Sequence, residues 1–143
     1  MSIAGGRRAE QVVRNYYAAF NAQDVHHVLD LLTEDVVHDI SQGAREIGRE
    51  AFSRFLEHMN RCYRERVEDL MVLTEPFGDR AATEFVVRGS YIATDPEAPA
   101  GTPPARGQTY LLSSGAFFTL REARIARVAN HYNLGDWVRQ VSA

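Results

Sequence analysis

The 143-residue chain contains no lysine and one cysteine, and both shortages exclude classes of chemistry. All 16 basic residues are arginine, which rules out a Schiff-base lysine and the lysine of a phosphate-binding P-loop. The single thiol, Cys62, can form neither a disulfide within the chain nor a multi-cysteine zinc site. Because Cys62 falls within an apolar helical pattern, we expect it to be a small core residue rather than a nucleophile.

Long apolar runs and a dominant charge are also missing. No segment approaches the roughly 20 apolar residues that cross a bilayer, and Met1 to Arg8 contain no apolar stretch of a signal peptide. The net charge of −3 creates no strong basic field for nucleic acid. We therefore expect a cytoplasmic protein that binds neither a membrane nor nucleic acid. Its length and its 45% hydrophobic content predict one globular domain over residues 1–143.

The hydrophobic periodicity places helices first and strands afterwards. Helical spacing of apolar residues predicts three helices, over residues 8–21, 24–32 and 49–63. Strand patterns follow, over residues 36–40, 66–74, 82–94, 108–120 and 125–132, although 120–128 would also suit a helix by propensity. Residues 95–107 hold four of the five prolines and predict a long loop, and 134–141 a short helix or tail. This order indicates an α+β fold whose strongly curved antiparallel sheet wraps around three helices and an apolar cavity.

Several segments resemble a known family. The run VVRNYYAAFNAQD (12–24) and the run LLTEDVVHD (31–39) resemble the opening of the nuclear-transport-factor-2-like superfamily. The segments FFTL (117–120), RIARV (124–128) and HYN (131–133) match its end. The chain is most similar to the branch of ketosteroid isomerases and SnoaL-like polyketide cyclases, over about residues 8–140. The resemblance implies a cone-shaped fold, a small-molecule cavity and a homodimer. Apolar residues on both faces of strand 82–94 also favour a homodimer.

The resemblance also suggests residue roles. It assigns the hydrogen-bond donor on the first helix to Tyr16 and the general base to Asp39. Alignment on Asp35 instead places Ile40 at the base position, and a one-residue offset would turn Asp39 outward and His38 inward. The second acid of the isomerases has no counterpart in residues 113–117.

These assignments predict an enzyme that transfers a proton on a small apolar ligand bearing a carbonyl group, without a cofactor. Asp39, its pKa raised by burial, would be the base, Tyr16 the donor and His131 a helper in place of the missing acid. Six further residues are predicted to line the ligand pocket, with a plain core as the alternative for the aromatic ones: Phe20, His38, Phe55, Met59, Phe117 and Tyr132. No metal-ligand spacing is present, and we expect no metal. The alternative function is a non-catalytic ligand-binding or dimerisation module of the same fold.

Overall fold

The computed structural model describes residues 4–143, so residues 1–3 of the predicted domain lie outside the described residues. The described chain forms four helices, α1 (Ala4–Asn21), α2 (Val25–Asp30), α3 (Arg49–Cys62) and α4 (Leu134–Ser142). Its six strands are β1 (Leu32–Ile40), β2 (Ala44–Ile47), β3 (Tyr63–Thr74), β4 (Arg80–Tyr91), β5 (Gln108–Arg121) and β6 (Arg124–Tyr132). The α+β class is confirmed, and no helix within residues 4–143 is long and apolar enough to span a membrane.

The six strands form one curled, unclosed sheet in the order β2-β1-β6-β5-β4-β3. Strands β3 to β6 pair antiparallel with their sequence neighbours, as predicted. The expectation of an antiparallel sheet is wrong at one place, because β1 pairs parallel with β6. One helix and four strands separate β1 from β6 in the chain, and a connection of that length permits parallel pairing.

The β5–β6 region is a hairpin and not a helix. Glu122 and Ala123 connect the two strands, and both adopt a positive φ, of 51° and 62°. Two consecutive residues with positive φ form the tight turn that suits the right-handed twist of a hairpin. The turn therefore settles the ambiguity of residues 120–128 in favour of strands.

The boundaries around β1 differ from the prediction. Asp24 caps α2 through its side chain, which accepts a hydrogen bond from the His27 amide at 3.1 Å. The helix then ends at Asp30, and β1 begins at Leu32, because residues 32–40 pair with β6. Strand β2 lies between the predicted strand 36–40 and the predicted helix 49–63, and all four of its residues are exposed. An exposed strand shows no alternation of hydrophobicity, so its sequence carries no strand signal.

Two clusters of buried side chains fill the interior of the curled sheet. The larger lies between α1, α3 and the concave face of the sheet. The smaller gathers around Trp137 of α4, whose ring contacts the rings of Tyr63, Tyr91 and Tyr110 at 5.3–6.1 Å. Together, the two clusters fix α1, α3 and α4 around the concave face.

Candidate functional site

A cavity of about 630 Å³ lies between α1, α3, α4 and the concave face of the sheet. Residues 95–99, at the start of the predicted loop, form part of its wall. Six of the predicted site residues line it: Tyr16, Phe20, Phe55, Met59, His131 and Tyr132. Pockets of this size and apolar character are typical of small-molecule sites.

Tyr16 of α1 contributes a phenol to this wall. Its ring makes edge contacts with the rings of Tyr17, Phe52 and Phe118 at 5.1–6.4 Å. Burial raises the pKa of Tyr16, so its hydroxyl keeps its proton. The hydroxyl has no hydrogen-bond partner within residues 4–143, whereas that of Tyr17 is paired with Thr83 Oγ1 at 3.1 Å. The Tyr16 hydroxyl is therefore free to donate to a ligand.

The structure corrects the expectation for Asp39. Its carboxylate accepts two hydrogen bonds from Arg45, at 2.6 and 3.0 Å, and one from Arg127 at 2.9 Å. The hydrogen bond from Arg45 lowers the pKa of Asp39 to about 2, with Arg127 acting in the same direction. Asp39 is not among the residues that line the cavity, and a carboxylate with so low a pKa is a poor proton acceptor. Ile40 lines the cavity instead, as the alignment on Asp35 placed it.

His38 points inward, opposite to Asp39, but it is a core residue. Its ring stacks on Phe52 at 4.3 Å and meets the edge of Phe55 at 4.6 Å. Burial lowers the pKa of His38 to about 4, so the ring is neutral at physiological pH. Nε2 shares a hydrogen bond with the Asn130 amide at 3.0 Å, and Nδ1 has no partner within residues 4–143. The expectation that His38 contacts ligand is wrong, because the residue does not line the cavity.

His131 and Phe117 lie together on the convex face of the sheet. Their rings pack edge to face at 5.4 Å, and Phe117 is 52% exposed. Asn130 and Tyr132, the strand neighbours of His131, line the cavity, and side chains alternate along a strand. Phe117 is therefore not a pocket residue, whereas His131 is part of the cavity wall even though its ring packs on Phe117.

The cavity wall holds a carboxyl group that the sequence analysis missed, that of Glu65 on β3. Burial raises the pKa of Glu65, and a hydrogen bond from the Tyr110 hydroxyl, at 2.6 Å, partly offsets this effect. Burial also raises the pKa of Tyr132 in the same wall, and the nearby charges of Glu65 and Asp95 add to that effect. Glu65 is thus a carboxyl held among aromatic rings, which is the environment that the sequence analysis expected for Asp39.

A glycine allows Tyr110 to reach Glu65. Glu65 is paired with Gly89 across β3 and β4, and Gly89 is paired with Tyr110 across β4 and β5. A Cβ at Gly89 would lie 2.4 Å from the Tyr110 ring, closer than real contacts allow. The tyrosine ring therefore lies across the bare backbone of β4, a known use of glycine within a strand.

A second polar group in the cavity wall consists of His58, Asp95 and Tyr63. His58 Nε2 lies 3.1 Å from Asp95 Oδ1, and the Tyr63 hydroxyl donates to Asp95 Oδ2 at 2.6 Å. His58 lies on α3, and its side chain is only 19% exposed. Asp95 begins the proline-rich loop, and a loop residue has no periodic pattern that predicts where its side chain points.

Solved structures with high similarity to the chain come from bacteria. A candidate polyketide cyclase from Pseudomonas putida KT2440 is 51% identical, with a TM-score of 0.86 and 98% of each chain covered. Another, from Xanthomonas campestris pv. campestris, is 47% identical, with a TM-score of 0.90, and the match covers 96% of this chain and 98% of that one.

More distant matches share the fold alone. An LEH-like epoxide hydrolase from M. tuberculosis is 15% identical, with a TM-score of 0.74, over 96% of this chain and 91% of that one. Among curated proteins, none matches the chain. The SnoaL-like domain family matches residues 13–128, most of the chain and all of the strands except the end of β6. The chain therefore belongs to the SnoaL-like domain family, within the nuclear-transport-factor-2-like fold.

Proposed function

We propose that the protein is an acid–base enzyme that moves a proton on a small apolar ligand bearing a carbonyl group, and that Glu65 carries the proton. The observation that supports this most is the Glu65 carboxyl in the wall of an aromatic cavity, with its pKa raised by burial. A carboxylate that is costly to keep charged accepts a proton more readily than one in water.

The neighbours of Glu65 suit a proton transfer. Tyr110 holds Oε2, which leaves Oε1 to take the proton from the carbon next to the ligand carbonyl. The electron pair of that C–H bond forms a double bond to the carbonyl carbon, and the π pair of the carbonyl moves to its oxygen, which gives an enolate. A phenol of the wall, Tyr132 or Tyr16, donates a hydrogen bond to the enolate oxygen, and both keep their protons because burial raises their pKa.

The names of the relatives support the same chemistry. Two structures with about half of their residues identical to this chain are candidate polyketide cyclases, and polyketides are rich in carbonyl groups. Steroid isomerisation is less well supported, since Ile40 occupies the cavity position where the family resemblance expects the base. We therefore favour a cyclase-like proton transfer over a ketosteroid isomerase-like one.

Hydrogen–deuterium exchange tests the proposal before the natural substrate is known. Small cyclic and aryl ketones are incubated with the protein in deuterium oxide, and proton NMR follows exchange next to the carbonyl. We expect Glu65→Gln to slow the protein-dependent exchange by roughly a hundredfold or more. Glu68→Gln is the matched control, because Glu68 lies on the same strand and pairs with Arg88 at 2.9 Å. Equal rates for wild type and Glu65→Gln would refute the role of Glu65.

A non-catalytic binding module is the second candidate. Ile40 lines the cavity where the resemblance expects the base, and the segment 113–117, of which Ser114 and Gly115 line the cavity, lacks the second acid; both features support binding without catalysis. In that case the ketones would raise the melting temperature of the protein, but neither wild type nor Glu68→Gln would exchange them. The exchange assay therefore separates the two functions.

We further propose that the protein is a homodimer, and we keep the cytoplasmic location as a prediction. Large apolar side chains lie on the convex face of β3 and β5, where Met71, Leu73, Leu111 and Phe117 are 48–63% exposed. Exposed apolar patches of this kind are typical of contact surfaces between proteins. A second copy of the chain would cover this face.

A further inference from the structure

We propose that His58, Cys62 and Asp95 form a binding site for a divalent transition-metal cation of the Zn²⁺ type. One ligand atom of each residue lies within 4.8 Å of the other two. Bonds of about 2.0–2.3 Å to a tetrahedral ion separate its ligand atoms by roughly 3–4 Å. His58 Nε2 and Asp95 Oδ1, at 3.1 Å, already match one such edge.

The backbone brings these three residues together. His58 and Cys62 are four residues apart in the last turns of α3, so their side chains lie on one face of the helix. The amides of Ile92 and Ala93 both donate to the Cys62 carbonyl, at 2.9 and 3.2 Å. These bonds tie the chain that follows β4 to the end of α3, and Asp95 comes two residues later.

The thiol of Cys62 is a second and independent observation. Cys62 is 5% exposed, and no residue of 4–143 forms a hydrogen bond with its sulfur. Here the sulfur lies beside the imidazole and the carboxylate, which together with a thiolate make up a zinc ligand set.

Neighbouring groups hold the ligands in place. The Tyr63 hydroxyl donates to Asp95 Oδ2 at 2.6 Å, and the Glu97 amide donates to Asp95 Oδ1 at 2.8 Å. A Glu97 carboxylate oxygen lies 3.6 Å from Nδ1 of His58, the ring nitrogen that faces away from the site. Carboxylates beside the second nitrogen of a ligating histidine are common around zinc, where they fix the orientation of the ring.

The ligand types select the ion. Nitrogen, sulfur and oxygen together favour Zn²⁺ and Co²⁺, whereas Mg²⁺ and Ca²⁺ take oxygen ligands. On binding, the thiol proton leaves to solvent and the sulfur becomes a thiolate. Three protein ligands leave the fourth position open, and His58 and Asp95 both line the cavity, which supplies an entry path. This proposal replaces the expectation of no metal site, and it does not depend on the role of Glu65.

Cobalt titration tests the proposal by a readout that needs no substrate. The full-length protein is treated with a chelator, dialysed and titrated with Co²⁺. We expect one ion per chain, a sulfur-to-cobalt charge-transfer band in the near ultraviolet, and visible bands of tetrahedral intensity that added Zn²⁺ removes. Cys62→Ser should abolish the charge-transfer band, and Asp95→Asn should keep it while weakening Zn²⁺ binding by tenfold or more in calorimetry.

His26→Ala is the matched control, because His26 and Asp30 form another pair four residues apart, at 3.4 Å, on the exposed surface of α2. This variant should bind Co²⁺ and Zn²⁺ like the wild type. Circular dichroism verifies that each variant is folded, and Asp95→Asn decides the question if Cys62→Ser does not fold. A missing charge-transfer band at stoichiometric Co²⁺, or unchanged Zn²⁺ affinity in folded Asp95→Asn, would overturn the proposal.

Discussion

The buried imidazole of His38 should make the protein less stable in mild acid. In the folded protein its pKa is lowered to about 4 by burial, against 6.5 for an unperturbed histidine. Between these values the unfolded chain binds a proton that the folded chain does not. Stability should therefore be complete above about pH 6.5, fall as the pH drops towards 4, and level off below 4 as far as this group is concerned.

The size of the effect follows from the two pKa values. Their difference is worth about 3 kcal/mol when the full window is crossed. At about pH 5 the unfolded imidazole is almost fully protonated and the folded one is mostly neutral, so about 2 kcal/mol is lost relative to pH 7.5. With an ordinary urea dependence, this loss moves the unfolding midpoint by about 1 M. The side chain is 1% exposed, so solvent screening reduces the effect little.

Urea unfolding of wild type and His38→Gln at both pH values measures this contribution. Glutamine reaches the Asn130 amide from a position close to that of Nε2 and does not titrate in this range. Other titrating groups, including Glu65 with its raised pKa, contribute to both proteins and cancel in the comparison. His27→Gln on the exposed side of α2 is the control, and it should behave like wild type. Parallel losses in wild type and His38→Gln would refute the account of a neutral, buried His38.

Four further changes test the remaining features. Gly89→Ala places a methyl group 2.4 Å from the Tyr110 ring and should cost about 1–3 kcal/mol in urea unfolding; no loss would mean that Tyr110 does not cross β4. Tyr110→Phe removes a hydrogen bond that lowers the pKa of Glu65, so carbon-13 NMR should detect a higher pKa for Glu65 in this variant; a lower pKa would contradict the hydrogen bond between Tyr110 and Glu65. Asp39→Asn should leave deuterium exchange on ketones unchanged, whereas a hundredfold loss would restore Asp39 as the base. Sedimentation should find wild type at twice the 16.1 kDa chain mass and Phe117→Arg at the single mass, and a wild-type monomer refutes the dimer.

Long periodic segments account for what the sequence predicted well. The apolar stripes of α1 and α3 repeat over several turns, and they correctly place Tyr16, Phe20, Phe55 and Met59 inside the sheet. The alternation along β4 likewise separates an inner face from an outer one over twelve residues. Such patterns predict burial well, because several residues along the element indicate the same buried face. No repeating pattern predicts the position of Asp95, because this residue lies in a loop and three hydrogen bonds hold its side chain.

The error at Asp39 arose from register and not from chemistry. Alternation establishes that His38 and Asp39 face opposite sides of β1, but it does not say which of them faces inward. The pairing of β1 with β6 decides this, and a parallel pair between strands far apart in sequence leaves no local signal. Ile40 indicates which side of β1 faces inward, since it continues the buried face of Val36 and His38.

Glu65 escaped notice because α3 passes into β3 without a loop. The helix was predicted to include Tyr63 and the strand to begin at residue 66, so Glu65 had no assigned face. In the structure, Tyr63 is the first strand residue, and Glu65 shares its face with Val67. One usable signal was present, the glycine at position 89 inside the predicted strand 82–94, since a glycine within a strand often indicates a close approach of another group.

The position of the cavity does not determine which strand carries the buried carboxyl of its wall. Ile40 is at the end of β1, next to one edge of the sheet, and Glu65 is on β3 at the opposite edge, yet the curl of the sheet brings both to one cavity. A ligand in this cavity would contact strands from both edges of the sheet, so the proposed acid can lie on β3 as well as on β1. The proposed proton transfer requires a buried carboxyl held in place, and Tyr110 holds that of Glu65 by crossing β4 at Gly89. Family membership thus predicts the cavity, and the residues of this chain decide where its acid lies.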